Sequence, residues 1–506
     1  MRELENVEKT RTADMTDAGD KTLLDVEATL MDAGTWEAGA LKPQGPGLGE
    51  ASSTLSRGER VGNLQVLTPL GEGAMGATYI ARHPVLRTAF AVKTFKSSRD
   101  DVFKEAYLAA RIDSPHVVPI NDAGRLERGG GAIPYLVQGY VDGLDLRDVI
   151  SAVRGLGRTI PAGFAARLVA EVALGLHACH KAGVVHCDVK PSNIMLHGSG
   201  SAMLGDFGIA QAPQHRPDDG FVVTGSPAYI PPELWREGGL TSRRSDIYAL
   251  GITAHQLMTG SLPILGRNLN EWKAAHLSHT YLPPPPRSPR EAYLFSVIAR
   301  MLAKHPEDRP ETAEMVATLL DPMIDGLPKF VGRTGESVAV GPLRVDVVAG
   351  NLSRANADVV VWSTSPDGPE AGEETGVGVK PPSRLGDVSW PDNPAPGERQ
   401  TALAAASMDG TVCIQRVLLR VLFGAEARRC GRIALPPLGT RAGQLPMELA
   451  AKMMMETIRT FAALRPHHVR HIQIVLDSSL DMEAWRSTMD YFGGRSHHGY
   501  LQQWEQ

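Results

Sequence analysis

From Val61 onward the chain turns from small and acidic residues to closely spaced apolar ones. GNLQVLTPLGEG, YIARHP and FAVKTF each read as a short strand. DDVFKEAYLAARI then predicts an amphipathic helix, with Phe103, Tyr107 and Ala110 at helical spacing. After the apolar run IPYLVQGYV the pattern becomes mainly helical, in AARLVAEVALGLHACHKAG and SDIYALGITAHQLMTG, up to about Pro322. Strands first and helices after predict a two-lobed α+β body over 61–322. A stretch containing Pro and Gly, 323–341, reads as a linker. Beyond it LRVDVV, ADVVVW, VCIQRVLLRVLF, RIALPPL and VRHIQIVL read as apolar strands, with helical stretches such as PMELAAKMMMETIRTFAAL around them. That alternation predicts a smaller α/β domain over 342–492, and 493–506 reads as a frayed tail.

Residues 1–60 hold few large apolar side chains, too few for burial to offset the entropy of ordering the chain, so they read as a disordered acidic tail. The tail carries 7 basic and 12 acidic residues, which accounts for the whole net charge of −5. The remaining body is neutral and creates no field that would draw nucleic acid or an anionic membrane. Neither is expected as a partner. Four scattered cysteines without a CxxC pair suit a reducing compartment and offer no zinc framework. With no apolar run approaching membrane length and no hydrophobic core in MRELENVEKT, the expected location is cytoplasmic.

Candidate chemistry begins at GEGAMGATY. Its GxGxxG spacing is weak by itself, since glycine-rich turns are common, but further motifs follow in a telling order. Ala91, Val92 and Lys93 close the next strand, and Glu105 sits on the helix after it. His186, Cys187 and Asp188 precede Asn193, and Asp206, Phe207 and Gly208 come later. Over 61–322 the sequence resembles the bacterial members of the eukaryotic-type Ser/Thr protein kinase family. The resemblance implies a bilobal fold, ATP with magnesium (or manganese) as cofactors, and protein substrates with Ser or Thr acceptors.

It also implies residue roles. Gly71, Glu72, Gly73, Ala74, Met75 and Gly76 would lie over the triphosphate, with Thr78 and Ala91 beside the nucleotide. Lys93 would neutralise phosphates and be held by Glu105. The backbone of Gln138, Gly139, Tyr140 and Val141 would meet the adenine edge, with Gln138 as gatekeeper. Asp188 would orient the acceptor hydroxyl and Lys190 contact phosphate, while Asn193 and Asp206 would ligate the metal. Glu233 with Arg309, and Asp246, would be architectural. Three departures stand out, one of them a connection between Lys93 and Glu105 that looks shorter than is common in the family. Cys187 occupies a position where the family usually has an arginine that pairs with a phosphorylated activation loop, and Thr78 replaces the usual valine.

In the third segment, VDVVAGNLSRANADVVVWSTSPDG and IALPPLGTRAGQLPMELAAKMMMETIRTF resemble parts of macro domains, a three-layer α/β family that binds ADP-ribose. The implied ligand residues are Asn351 and the loop Gly439, Thr440, Arg441, Ala442 and Gly443, which leaves a strand and enters a helix whose N-terminus suits a diphosphate. Asn351 stands for an aspartate and Trp362, Ser363, Thr364 and Ser365 for an Asn-Ala-Ala-Asn stretch, so a regulatory or docking module is expected rather than an ADP-ribose hydrolase.

The expected protein is thus a multi-domain α+β kinase. Rival readings are a kinase-fold scaffold without useful turnover, and a kinase regulated by ADP-ribose-type ligands. Thr224 and Ser226 are the natural activation-loop phosphosites. In the tail, TLLD and TLMD make Thr22 and Thr29 candidate sites whose phosphates would dock on a phospho-threonine-binding module.

Overall fold

The computed structural model describes residues 54–492 except 74–75, 97–102, 104–105, 108, 129–130, 207–214, 217–219, 222–225, 335, 365, 367–378, 392–397, 409–410 and 441–444. Residues 1–53 of the expected tail, Thr22 and Thr29 among them, lie outside the described residues.

The small lobe is a six-stranded antiparallel sheet of β1 (Arg60–Val61), β2 (Leu64–Gly73), β3 (Gly76–Arg82), β4 (Ala89–Phe95), β5 (Ile120–Arg128) and β6 (Gly131–Gly139), in the order β1-β2-β3-β4-β6-β5. Alternation puts Val66, Ala77, Tyr79, Ala81 and Val92 into one core with Leu55. Packing therefore begins earlier than the expected start at residue 61. Leu55 is buried and its amide donates to the Tyr79 hydroxyl at 3.0 Å. In the segment expected as an amphipathic helix, the buried positions are Ala106, Ala109 and Ile112, whereas Tyr107 is 68% exposed. The periodicity was present, but the stripe facing the protein lies beside the one the aromatic suggested.

The large lobe follows β7 (Gly143–Asp145). Its helices are α1 (Leu146–Gly155), α2 (Ala162–Lys181), α3 (Arg243–Thr259), α4 (Leu269–Ser278), α5 (Pro289–Met301) and α6 (Ala313–Leu320). Strands β8 (Ile194–His197) and β9 (Ala202–Leu204) pair with β7 beneath the site. Helix α2 has the length and apolarity of a membrane span, but Leu168, Ala173, Leu176 and Cys179 are wholly buried in the lobe. Two short strands, β10 (His215–Arg216) and β11 (Gly220–Phe221), pair with each other.

The third domain is an eight-stranded mixed sheet. Its strands are β12 (Phe330–Thr334), β13 (Ser337–Val340), β14 (Leu343–Ala349), β15 (Val359–Thr364), β16 (Val388–Ser389), β17 (Gln400–Ala405), then, after the separate hairpin β18 (Ser407–Met408) and β19 (Thr411–Val412), β20 (Arg432–Leu435) and β21 (His471–Leu476). The order is β12-β13-β14-β21-β20-β15-β17-β16, with a parallel centre from β14 to β17. Helices α7 (Ile414–Ala427), α8 (Met447–Ala463) and α9 (Ser479–Phe492) accompany it.

Two expectations are corrected here. VCIQRVLLRVLF is not a strand but most of α7: Ile414, Val417, Leu418, Val421 and Leu422 recur at spacings of three and four and are wholly buried. A continuous apolar run hides that period, because Leu419 and Phe423 are also covered. The expected linker 323–341 contains β12 and β13, where Phe330, Val338 and Val340 enter the core, so the connection shrinks to a few residues. Met323, Ile324 and Leu327 pack there too, and the apolar core runs unbroken from the large lobe into the third domain.

Candidate active site

The site is assembled from strand ends and turns whose backbone is held by buried polar groups. In the small lobe, β3 and β4 pair so that Thr78 opposes Lys93, and β4 and β6 pair so that Ala91 opposes Gln138. Gln138 is buried. A Cβ added at Gly71 or Gly73 would meet nothing within 4 Å, whereas one at Gly76 would fall 1.7 Å from the Thr94 carbonyl oxygen. Gly76 is thus required by the hairpin itself. Gly71 and Gly73 have open space beside them, which a loop lying close over phosphates would need. Ala74, Met75 and Glu105 lie outside the described residues.

In the large lobe, Asp246 at the start of α3 is nearly inaccessible to water, and its carboxylate accepts from His186 N and Cys187 N, both at 2.9 Å. His180 Nε2 lies 2.7 Å from the same carboxylate. These bonds hold Cys187 at a φ of 64°, a conformation costly for a residue with a side chain. Burial keeps the His186 imidazole below its ordinary pKa despite the carboxylates nearby. As a neutral ring it donates from Nε2 to Gly205 O at 3.1 Å and accepts the Asp188 amide at 3.3 Å. Sequence reasoning missed the part played by His180, which no local motif signals.

The reacting groups converge at the loop's end. Asn193 Nδ2 donates to Asp188 O and Oδ2, each at 2.8 Å, and to Asp206 O at 3.4 Å. Lys190 Nζ is 2.9 Å from the Asp188 carboxylate and 3.2 Å from Ser226 Oγ. Lys93 Nζ is 3.1 Å from Asp206 Oδ1. Burial pushes the Asp206 carboxyl up, but Lys93, by charge and hydrogen bond, and Lys190 outweigh it, so the group titrates below the usual carboxylate range. Asp206 has a φ of 53°, a second left-handed non-glycine residue at the site. Thr224 lies outside the described residues.

The donor set fits magnesium. Asp206 offers a carboxylate, and Asn193, whose amide nitrogen is spent on Asp188, has an oxygen that accepts from Ser192 Oγ at 3.3 Å; both are hard oxygen donors. A magnesium ion held by these two would complete its shell with phosphate and water oxygens.

The architectural pair is also present. Arg309 bonds Glu233 twice, Nη1 to Oε1 at 2.9 Å and Nη2 to Oε2 at 2.7 Å, with the Arg309 side chain fully covered.

In the third domain, Gly439 lies past the carboxyl end of β20 with a φ of 78°. A Cβ there would press on Ile414 and Val412 at about 3 Å, so the turn packs tightly on its own domain. Thr440 bonds Pro437 O, and Arg441, Ala442 and Gly443 lie outside the described residues, as does Ser365. The Asn351 side chain is exposed and accepts from Ser353 N at 2.8 Å and Ser353 Oγ at 2.7 Å, closing a local turn. The sequence-predicted ligand residues of this domain are therefore engaged locally where they are described.

Comparison with known proteins agrees with this geometry. Residues 64–319 match the protein kinase domain family, half of the chain, and the chain belongs to that family. The relatives that it resembles over this region are named serine/threonine-protein kinases. It is 34% identical over 262 residues to the serine/threonine-protein kinase PknB of Mycobacterium leprae, covering 50% of this chain and 41% of that protein. PknB of Mycobacterium tuberculosis is 35% identical over 266 residues, with the same coverage. PknH of Mycobacterium bovis is 35% identical over 290 residues, covering 54% and 47%. The chain thus spans less than half the length of these curated relatives. The crystal structure of the Mycobacterium tuberculosis PknI kinase domain matches with 28% identity and a TM-score of 0.41, covering 53% of this chain and 99% of that one.

Proposed function

We propose that the full chain is an ATP- and magnesium-dependent kinase that phosphorylates Ser or Thr of protein substrates, and that its third domain is a macro-like regulatory or docking module. The single observation that carries the first part is Lys190, within 3.2 Å of both the Asp188 carboxylate and the Ser226 hydroxyl. Asp188 is held by Asn193, so it can accept the hydrogen bond of an incoming hydroxyl and orient its oxygen for attack. Lys190 beside it would balance charge developing on the transferred group. Lys93, opposite Thr78 in the sheet, would meet phosphate oxygens in exchange for Asp206. Magnesium, when bound, supplies further neutralisation of the phosphates through Asp206 and Asn193.

The macro-like reading draws support from the parallel centre of the sheet and the glycine turn at the carboxyl end of β20, the edge where open α/β sheets hold ligands. The local engagement of Asn351 favours docking over nucleotide binding. The four cysteines stand as thiols, none in a disulfide, which supports a reducing, cytoplasmic setting. Incubation with labelled ATP, magnesium and a generic basic protein tests the activity: transfer by the native chain and none by Lys93→Met is expected. Equal labelling by both, or none by the native chain, would favour the scaffold reading.

A further inference from the structure

Helix α7 of the third domain begins against the connection between the kinase lobes. The Tyr140 hydroxyl donates to Cys413 Sγ at 3.2 Å. Asp142, only 8% exposed, accepts from Gln415 N at 2.9 Å and Arg416 N at 3.0 Å, so a carboxylate of the connection caps a 14-residue helix belonging to another domain. Arg416 Nη1 donates back to Gly143 O at 3.4 Å. Capping of this kind satisfies amides that a helix start leaves open and sets a negative charge at the positive end of its dipole.

The same domain grips both lobes. Leu385, Met408 and Cys413 form one apolar cluster with Leu67 and Ile80 of the small-lobe sheet, joined by Leu70, Ala89 and Tyr140. On the large lobe, Thr460 Oγ1 donates to Gly198 O at 2.6 Å, and Arg158 donates to Leu464 O at 2.7 Å while pairing with the buried Glu426 at 3.4 Å. A Cβ at Gly198 would collide with Gln415 at 2.5 Å, which shows how closely α7 approaches.

We infer that Asp142 is a positioning residue for nucleotide binding, tying the interlobe connection to α7 so that the third domain holds the adenine-facing backbone and the spacing of the lobes. The inference rests on the proposed nucleotide reading of Gly139 to Val141. A segment that must be ordered when ligand binds costs conformational entropy at that moment, whereas one already held in place does not. The effect therefore falls on ATP affinity rather than on the phosphoryl step.

The test uses the full chain and ATP with magnesium. Asp142→Ala should raise both the Kd and the KM for ATP about tenfold, the equivalent of losing one cap, with kcat changed by less than about threefold. Asp142→Ser, which restores a capping oxygen, should recover most of the affinity. A folded Asp142→Ala protein with native ATP affinity, or one that lost kcat at unchanged KM, overturns the inference. Should Asp142→Ala not fold, hydrogen exchange of the native chain decides: ATP should slow exchange at 414–416 together with 139–143. Protection of 139–143 alone overturns the coupling. Failure of the native chain to bind ATP at all would instead refute the proposed function.

Discussion

Lys93 Nζ lies 3.1 Å from Asp206 Oδ1, which brings the two lobes together through one charged contact. The lysine comes from β4 and the aspartate from the turn after β9; burial raises the carboxyl pKa, but the charge and hydrogen bond of Lys93, with Lys190, lower it by more. A group kept anionic in this way is suited to a divalent cation.

Asp206→Asn and Asp188→Asn are both expected to abolish phosphotransfer, for different reasons. The first removes a metal donor and should weaken nucleotide binding only when magnesium is present. The second removes the group that orients the acceptor and should leave magnesium-dependent binding near native. Nucleotide titrations with and without magnesium separate them; equal loss in both, with folds intact, would refute this division of roles.

Control by loop phosphorylation should be weak. An arginine at position 187 would give a phosphate a charge-assisted bond worth about 1.5–3 kcal/mol, or roughly tenfold to hundredfold in activity, and Cys187 supplies no such fork. Thr224→Ala is expected to retain most activity in the kinase assay. A fall beyond about a hundredfold would mean that another basic residue has taken over.

Removal of one partner of the Arg309 and Glu233 pair should be costly. Arg309→Ala strands a carboxylate and also the Ala303 and Arg244 carbonyls that the guanidinium serves. A loss of about 3–5 kcal/mol is expected on chemical denaturation. Arg309→Lys keeps the charge but loses the two parallel hydrogen bonds to Glu233 and should recover only part. Native stability in Arg309→Ala would show the pair to be dispensable.

Acid should weaken the large lobe. Burial, helped by Lys304, drives His276 down to about 3, and burial drives His255 down to about 4, so both are neutral in the folded protein. Their contribution is complete above the unfolded value of about 6.5 and is lost as pH falls from there, by about 1.4 kcal/mol per pH unit for each. His276 donates from Nε2 to Pro227 O and accepts from the Tyr248 hydroxyl. His276→Gln should flatten the stability curve between pH 6.5 and 4.5. An unchanged slope would exclude His276 as a source.

ADP-ribose is expected to bind the full chain weakly or not at all, because the Asn351 oxygen is neutral and is occupied by Ser353. Calorimetry measures this directly. Micromolar or tighter binding would favour a kinase regulated by that ligand.

The kinase site was legible because each of its motifs is local. A glycine turn, a lysine on a strand and the run from His186 to Asn193 bring their own backbone geometry, and their order along the chain implies one fold. The third domain was legible only in outline. The apolar run in α7 carries no visible period until the surfaces that cover its second side are known, and the strands of 330–340 read as linker because Gly and Pro break them into short pieces. Nothing near Asp142 marks it as a helix cap, since its partners are 273 and 274 residues away. Local motifs and side-chain periodicity carry the two lobes, the candidate site residues and the helices with polar faces. What meets across long separations is set by the packed fold: the Asp246 carboxylate with His180 and His186, and α7 with the interlobe connection. Such contacts depend on how whole domains pack, and side-chain periodicity records which face of an element is buried without recording what buries it.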